Sequence, residues 1–392
     1  MRESVLHWLK LYEDEVVIFL WTAALLFFVR SSGMILNNYA ETAFLKRYGI
    51  EYMPIVNMIN TVVTFFITGV MAAFMSRMSG SKILFYLFLC CGILVTLIRL
   101  SIPMGLEIIY PLLFMLKSQF ELLQALLFWN LANDLFNTRQ AKRIFPLLTA
   151  GGVIGLIVSS FATPYMANLF QFDNLLYVYL ATTLAGAALI KGMGRQFPSI
   201  MLDGKKEKGG HKKNSISEEI RRVWPLLRQS TLFKIVLVLT FMPNVVIPIM
   251  NYQFNFAVDQ YFPTESGMLI FFSYFRGVLN IVSLIILLFV GRLYGSFGLP
   301  IALMLHPLNY AVAFMAFFLN FGVFSAVYAR MSTNVLRTTI NMPATSILIG
   351  LFPESYRAMV RPFLRGTVVR AGLLLGSALI LTSVNSYHPQ YL

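Results

Sequence analysis

The sequence predicts an all-α polytopic membrane protein, a bundle of two six-helix halves in which about eleven spans are recognisable. Of the 392 residues, 58% are hydrophobic and only 12% are charged, whereas soluble domains are about 25% charged. Apolar runs of about 20 residues, the length of a helix that crosses a bilayer, recur from Val16 onwards. A polar, basic stretch separates six of these runs from the remaining five.

Hydropathy places the boundaries of the spans to within a few residues. The predicted spans are 15–46, 51–76, 82–102, 106–136, 144–170, 174–193, 231–260, 265–291, 299–319, 321–351 and 364–384. The second half thus has five spans, and the chain stops at His388-Pro-Gln-Tyr-Leu, where a twelfth would begin. We expect either a truncated or incomplete chain, with a soluble domain beyond it, or a partner subunit that completes the bundle.

Three regions follow from this division. Residues 1–193 form the N-terminal half, 194–228 a linker, and 229–392 the C-terminal half. The linker contains the run GKKEKGGHKKNS, which is too polar and glycine-rich to pack a core. A short amphipathic helix is expected near Ser217–Arg228, because Ser217 and the two acids that follow it are typical of a helix start.

The net charge of +14 reflects basic residues gathered in alternate loops. Such loops hold one face of a membrane protein in the cytoplasm, so the charge does not indicate nucleic acid. This bias predicts that the N-terminus and the linker are cytoplasmic. The loops concerned contain Arg77 and Lys82; Arg139, Lys142 and Arg143; Arg292; and Arg357, Arg361 and Arg365.

Polar residues recur on one face of every third predicted span. Spacings of 3, 4, 7 and 11 residues return to the same side of a helix, so each set forms a stripe. A water-filled path through a bundle needs such stripes, and we therefore expect transport. The sets are Arg30/Asn37/Glu41, Lys117/Glu121/Gln124, Asn244/Asn251/Asn255 and Arg330/Asn334/Arg337/Asn341, on the first, fourth, seventh and tenth spans.

Charged residues within spans are costly, at about 2.5–3.5 kcal/mol each at mid-bilayer, and usually mark a functional path. Cations outnumber the acids that can pair with them, which favours an anionic ligand. The cations are Arg30, Lys117, Lys234, Arg276, Arg330, Arg337 and Arg370, and the acids are Glu41, Glu121, Asp134 and Asp259. Predicted ligand-binding residues are Arg30, Asn37, Lys117, Glu121, Asn251, Arg276, Asn280, Asn334, Arg337 and Asn341, with Glu41 and Glu121 as candidates for coupling.

Each of these features also has a purely structural interpretation. Lys117 and Glu121 are one turn apart and can neutralise each other on one helix. The stripe on the tenth span can be a seam of hydrogen bonds between helices, although two guanidiniums fit an anion or phosphate better. His306, followed by Pro307, is interpreted as a satisfied core histidine at a kink rather than a proton relay.

Sequence motifs for nucleotide hydrolysis, hydrolase chemistry or metal binding are not found, so no enzymatic activity and no cofactor are expected. Cys90 and Cys91 are adjacent in an apolar run and are interpreted as packing residues. Gly151, Gly152 and Gly155 predict a close contact between helices rather than a phosphate cradle. Transport would therefore be driven by a gradient or by exchange.

One segment identifies a family. Residues 128–155 read FWNLANDLFNTRQAKRIFPLLTAGGVIG. They resemble the loop between the fourth and fifth spans of the ATP/ADP translocase (nucleotide transporter) family, a divergent branch of the major facilitator superfamily. Residues 337–372 and the NYQFNFAV run from Asn251 are similar to further segments of these relatives. The resemblance implies a twelve-helix major-facilitator-type bundle with alternating access, whose first, fourth, seventh and tenth helices line the cavity.

Three functions remain open at this point. The first is secondary transport of an organic anion, nucleotide-like or phosphate-bearing, across the bacterial cytoplasmic membrane. The second is translocation of a lipid or lysophospholipid, favoured by the wide, soft apolar walls that 35 Phe and 20 Met provide. The third is a scaffold or sensor that does not transport, for which mutually locked salt bridges would be evidence.

Overall fold

The computed structural model describes residues 12–75, 78–198, 230–384, 386 and 388–391. All regular elements within these residues are helices, as the sequence predicted. The amphipathic helix expected near Ser217 and nearly all of the predicted linker lie outside the described residues. The longer helices, in chain order, are α1 (Glu13–Arg47), α2 (Met53–Met75), α3 (Gly80–Ser101), α4 (Ile109–Leu135), α5 (Thr138–Phe170), α6 (Leu175–Gln196), α7 (Thr231–Tyr261), α8 (Glu265–Ser296) and α9 (Gly298–Leu319).

The last part of the chain is more broken than the hydropathy pattern indicated. The predicted span 321–351 is a composite of α10 (Val323–Leu336), a π-helix (Arg337–Asn341) and α11 (Met342–Gly350). A second π-helix (Leu364–Val368) lies between α12 (Glu354–Phe363) and α13 (Val369–Ser383). Ten helical segments of the described residues are long and apolar enough to cross a membrane, and the composite segment is an eleventh candidate.

The chain divides into two compact units. Of the described residues, the first unit contains those within 12–48, 64–198 and 264–280, and the second contains those within 49–63, 230–263 and 281–391. The start of α8 therefore packs with the first unit, and the 3₁₀ turn Ile50–Tyr52 packs with the second. Gly298, with φ of +77°, separates α8 from α9, a backbone conformation that glycine adopts without a steric penalty.

Helix α1 is the centre of the first unit and packs against α4, α5 and α6. Its contact with α5 is close because a Cβ on Gly155 would lie 2.9 Å from the carbonyl oxygen of Phe27. Small residues at such contacts let transmembrane helices approach each other. The predicted role of this glycine in a helix contact is thus confirmed.

The segment with the family resemblance builds the start of α5. Asn137 accepts hydrogen bonds from the backbone N–H of Gln140 at 2.9 Å and of Arg139 at 3.1 Å, while the Gln140 side chain accepts one from the Asn137 N–H at 3.0 Å. This reciprocal capping fixes the first turn. Arg143 and Gln140 then donate to the buried carboxylate of Glu15 on α1, at 2.8 and 3.0 Å.

Helix α7 has the corresponding role in the second unit, where it packs against α10, α11 and α13. A Cβ on Gly376 of α13 would lie 2.3 Å from the carbonyl oxygen of Val245 on α7. At the end of the chain, Gln253 of α7 donates to the carbonyl oxygen of Pro389 at 2.9 Å. The second unit is thus also organised around one long helix.

Candidate functional site

Five charged side chains of the first unit come together between α1, α4 and the start of α8. We call this set, Arg30, Glu41, Lys117, Glu121 and Arg276, the charge cluster. At its centre, the Glu41 carboxylate is 3.3 Å from the Lys117 ammonium and also accepts a hydrogen bond from the Arg276 guanidinium. The side chains of Glu41 and Lys117 are only 7% and 9% exposed, so this is a buried ion pair.

Two asparagines of α1 complete the coordination of these cations. Lys117 donates to the Asn37 Oδ1 at 2.8 Å, and Arg276 donates to the Oδ1 of Asn38. Asn38 is fully buried, and its amide nitrogen donates to Thr163 at 3.3 Å. Sequence reasoning missed Asn38, because adjacent residues lie about 100° apart around a helix and the stripe contained only Asn37.

Aromatic rings cover the cations. The Lys117 ammonium lies 4.1 Å from the centre of the Phe114 ring, and the Arg276 guanidinium carbon lies 5.2 Å from that of Phe272. Aromatic faces attract cations, and the attraction grows where water is excluded. These rings compensate part of the cost of burying the two charges.

The outer part of the charge cluster is looser. Arg30 and Glu121 are 3.8 Å apart, and their side chains are 29% and 50% exposed. The sequence allowed Glu121 to pair with Lys117 on the same helix, but Lys117 instead pairs with Glu41 of α1. Among these five residues, three cations face two carboxylates, so one positive charge is in excess. Asn280, also predicted, donates to the backbone oxygen of Arg276 at 2.8 Å.

A second ionic group lies at the C-terminal end of α1. Arg47 is 2.8 Å from Asp173 and donates to the Oε2 of Glu265 at 2.9 Å, and Tyr39 donates to Asp173 at 2.7 Å. The Arg47 guanidinium also lies 5.2 Å from the centre of the Phe172 ring. This group ties the end of α1 and the residues just before α6 to the start of α8, and no sequence pattern had predicted it.

The predicted residues of the second unit form a different arrangement. Arg337 begins the π-helix, and among the described residues no carboxylate forms a salt bridge with it. It interacts electrostatically with His306 and Tyr310 of α9. We call these three residues the arginine site. Residues predicted with Arg337 that also lie in this unit are Asn251 and Asn334, both partly buried, and Asn341, which is buried.

His306 is buried, as the sequence predicted, and its side chain is 1% exposed. Neither of its ring nitrogens forms a hydrogen bond of standard geometry within the described part of the chain, although the ring interacts with the backbone of Thr333. The expectation of a satisfied core histidine is therefore not confirmed. The Tyr310 ring lies 4.5 Å from that of His306, and its buried hydroxyl also has no partner among the described residues.

The comparisons with known proteins support a transporter. A profile of the TLC ATP/ADP transporter family matches residues 110–352, more than half of the chain. No curated protein sequence matches significantly. A crystal structure of a variant of the nucleoside transporter NupG superposes with a TM-score of 0.71 at 12% identity, covering 94% of this chain and 92% of that one.

Two further structures have similar folds. A bacterial homologue of the human lysosomal transporter Spinster has a TM-score of 0.62 at 12% identity, with 96% of this chain and 84% of that one covered. The xylose transporter XylE from E. coli has a TM-score of 0.59 at 11% identity, with 96% and 89% covered. The fold is therefore that of the major facilitator transporters, and the chain belongs to the TLC ATP/ADP transporter family of multi-pass membrane proteins.

Proposed function

We propose that the protein is a secondary transporter of an organic anion that bears phosphate, in the manner of a nucleotide. The observation that carries this proposal is the charge cluster, where Lys117 and Arg276 converge on the single carboxylate of Glu41. A phosphate-bearing ligand offers the same kind of acceptor oxygens as that carboxylate. The name of the matching family, ATP/ADP transporter, supports the same class of substrate.

The geometry supports an exchange of partners. Without ligand, Glu41 neutralises part of the charge of Lys117 and Arg276. An anion that enters would compete with Glu41 for these donors, while Asn37 and Asn38 keep the cations in place through their side-chain oxygens. Since burying an unpaired charge is costly, an occupied and an empty site would favour different arrangements of the helices around them.

The excess of positive charge also bears on the scaffold alternative. Locked salt bridges were the feature expected of a scaffold, and Glu41, Lys117 and Arg276 do form such bridges. A purely structural cluster has no reason to retain a net positive charge within a membrane, because each charge is costly there. A cluster that binds an anion has such a reason, because the ligand supplies the missing negative charge.

Uptake by proteoliposomes tests the proposal. The purified protein is reconstituted and supplied with labelled ATP, ADP, a nucleoside or a lysophospholipid. We expect saturable uptake of a nucleotide, and we expect Lys117→Ala and Arg276→Ala each to abolish it. Lys191→Ala is the matched control, because Lys191 lies on the exposed face of α6, and its uptake should equal that of the wild type.

The outcomes separate the three functions. If both cluster variants retain nucleotide uptake, the roles given to Lys117 and Arg276 are wrong. Uptake of the lysophospholipid alone would favour lipid translocation. A correctly folded protein that moves none of these compounds would favour a scaffold.

We also propose that the protein lies in a bacterial cytoplasmic membrane with its N-terminus and linker in the cytoplasm. The proposal rests on the basic residues gathered between alternate spans, among them Arg139, Lys142 and Arg143, which the structure places in the first turns of α5 rather than in a loop. In a background without Cys90 and Cys91, a cysteine at Leu106 should react with an impermeant maleimide added to intact cells. A cysteine at Ser215 should react only after permeabilisation, and the reverse pattern would contradict this orientation.

A further inference from the structure

We propose that the arginine site, His306, Tyr310 and Arg337 of the second unit, binds a phosphoryl group. The inference rests on the proposed function in that it assigns a part of the same class of substrate to named residues. It depends on different contacts, however, because none of the three belongs to the charge cluster. Of the three, the sequence had assigned a binding role to Arg337 alone.

The arginine site contains buried polar groups without a standard hydrogen-bond partner among the described residues. Both ring nitrogens of His306 and the hydroxyl of Tyr310 are buried and form no hydrogen bond of standard geometry within the described residues. A buried polar group without a partner costs about 1–3 kcal/mol, so such groups are uncommon and call for an explanation. A ligand that accepts hydrogen bonds from the protonated ring nitrogen of His306 and from the Tyr310 hydroxyl would reduce this cost.

The positive charge of Arg337 favours an anionic ligand. Arg337 is partly buried and, among the described residues, forms no salt bridge, although it lies close enough to His306 and Tyr310 to interact with both. A cationic ligand is excluded by the guanidinium, and a neutral ligand would leave its charge uncompensated. An anion would neutralise Arg337 and accept hydrogen bonds from its planar fork of donors.

Hydrogen bonds beside the arginine site hold its helices together, and these bonds do not involve the three binding side chains. Asn309, which lies between His306 and Tyr310 in sequence, donates to the hydroxyl of Thr333 at 3.1 Å and accepts from Tyr328 at 3.4 Å. Thr333 lies four residues before Arg337, so these bonds hold α9 against α10 one turn away from the guanidinium. The helices are thereby fixed, while His306, Tyr310 and Arg337 take no part in these hydrogen bonds.

The π-helix completes the arrangement. In the π-helix of residues 337–341 each backbone hydrogen bond spans one more residue than in an α-helix, and such insertions are frequent at functional sites. Tyr294 of α8 donates to the backbone oxygen of Ile340 at 2.6 Å, which supports the widened turn from outside.

The donor set favours a phosphoryl group over a carboxylate. A guanidinium, an imidazole and a phenol from two helices approach a ligand from several directions. A tetrahedral phosphoryl group presents three oxygens in different directions, whereas the two oxygens of a carboxylate lie in one plane and are matched by the guanidinium alone. Since all three groups can donate, the site suits a ligand that presents several acceptor oxygens.

The test uses His306 as a local probe. The chain has four histidines, so ¹³C-histidine labelling of the protein in detergent gives few signals, and His306→Gln identifies the one from His306. Inorganic pyrophosphate is then titrated in. We expect a saturable shift of the His306 signal in the wild type, and the same shift in Lys117→Gln, in which the charge cluster is disrupted.

Variants of the site should weaken this response. Arg337→Gln should raise the half-saturating pyrophosphate concentration at least about tenfold, the effect of losing a charged hydrogen-bond partner. Tyr310→Phe keeps the ring beside His306 and removes only the hydroxyl, so it gives a second measurement if Arg337→Gln does not fold. Arg365→Gln is the control, because Arg365 is exposed and bonds Ser346, and it should leave the titration unchanged.

Two results would overturn the inference. One is a His306 signal that does not move at pyrophosphate concentrations that saturate uptake or binding elsewhere on the protein. The other is a response to malonate and not to pyrophosphate, which would make the site a carboxylate site. The proposed function fails separately: uptake can be absent while His306 responds, or present while His306 is silent.

Discussion

The two units differ in whether their buried cations are paired with a carboxylate. In the first, Lys117 and Arg276 share the Glu41 carboxylate, and aromatic rings and asparagine oxygens complete their surroundings. In the second, within the described residues, Arg337 has no carboxylate partner and the ring of its neighbour His306 forms no hydrogen bond of standard geometry. The cations of the charge cluster are thus paired without a ligand, whereas the cation of the arginine site forms no salt bridge among the described residues.

This difference bears on how each region would bind an anion. A ligand of the charge cluster has to displace Glu41, so its binding energy is reduced by the loss of an existing pair. A ligand of the arginine site would only add contacts. We therefore expect the first region to exchange a salt-bridge partner on binding, and the second to lose no salt bridge once the ligand reaches the buried His306.

The largest expected effect comes from removing the shared carboxylate. Glu41→Gln leaves Lys117 and Arg276 buried without their acid, and breaking a buried pair in this way costs about 3–5 kcal/mol. Arg337→Gln removes a cation that has no salt bridge among the described residues, so it should leave the free energy of unfolding unchanged or raise it. Unfolding in mixed micelles, followed by tryptophan fluorescence, measures both.

A double variant sharpens this first prediction. Glu41→Gln combined with Arg276→Gln removes one of the two uncompensated cations, so it should be more stable than Glu41→Gln alone. If Glu41→Gln and Arg337→Gln lose the same free energy, the two regions do not differ as proposed. If the double variant is the least stable, Arg276 is held mainly by contacts other than Glu41.

The next effect concerns the helix contacts that support each region. Gly376→Ala places a methyl group 2.3 Å from the carbonyl oxygen of Val245, and Gly155→Ala places one 2.9 Å from that of Phe27. Backbone atoms yield little, so we expect losses of about 1–3 kcal/mol, larger for Gly376. The same unfolding assay measures them.

Gly194 provides the control for both. A Cβ there would meet no atom within 4 Å, so Gly194→Ala should change the stability by less than about 1 kcal/mol, and in the stabilising direction. A loss for Gly155→Ala as large as for Gly376→Ala would mean that α1 and α5 cannot separate even slightly. No loss in either variant would show that these contacts open at little cost.

Much of the fold could be predicted because it depends on periodicity. Apolar runs gave the helices, and the polar stripe on α1 placed Glu41 and Asn37 on the face that meets Lys117. Spacing defines a face of one helix but not the residue that it meets on another. For that reason the pairing of Lys117 with Glu41, rather than with Glu121 on its own helix, required the tertiary structure.

The remaining features could not be predicted from the sequence, for related reasons. The π-helix at Arg337 leaves the hydropathy of the segment unchanged, so the tenth span was predicted as one continuous helix. The missing partners of His306 are a property of its neighbours, which no local pattern records. The four stripes were also predicted to line one common path, and that remains a prediction.

The smallest expected effect on stability is that of Glu121→Gln, and it separates a structural role from a coupling role. The side chain is 50% exposed and 3.8 Å from Arg30, and such ion pairs contribute about 0.2–1 kcal/mol. If Glu121 couples transport to a proton or to charge switching, uptake should nevertheless fall severalfold in this variant. The measurement pairs the unfolding assay with proteoliposome uptake. A variant with normal uptake would restrict coupling to Glu41, whereas one as unstable as Glu41→Gln would mean that the outer part of the charge cluster is as tightly held as its centre.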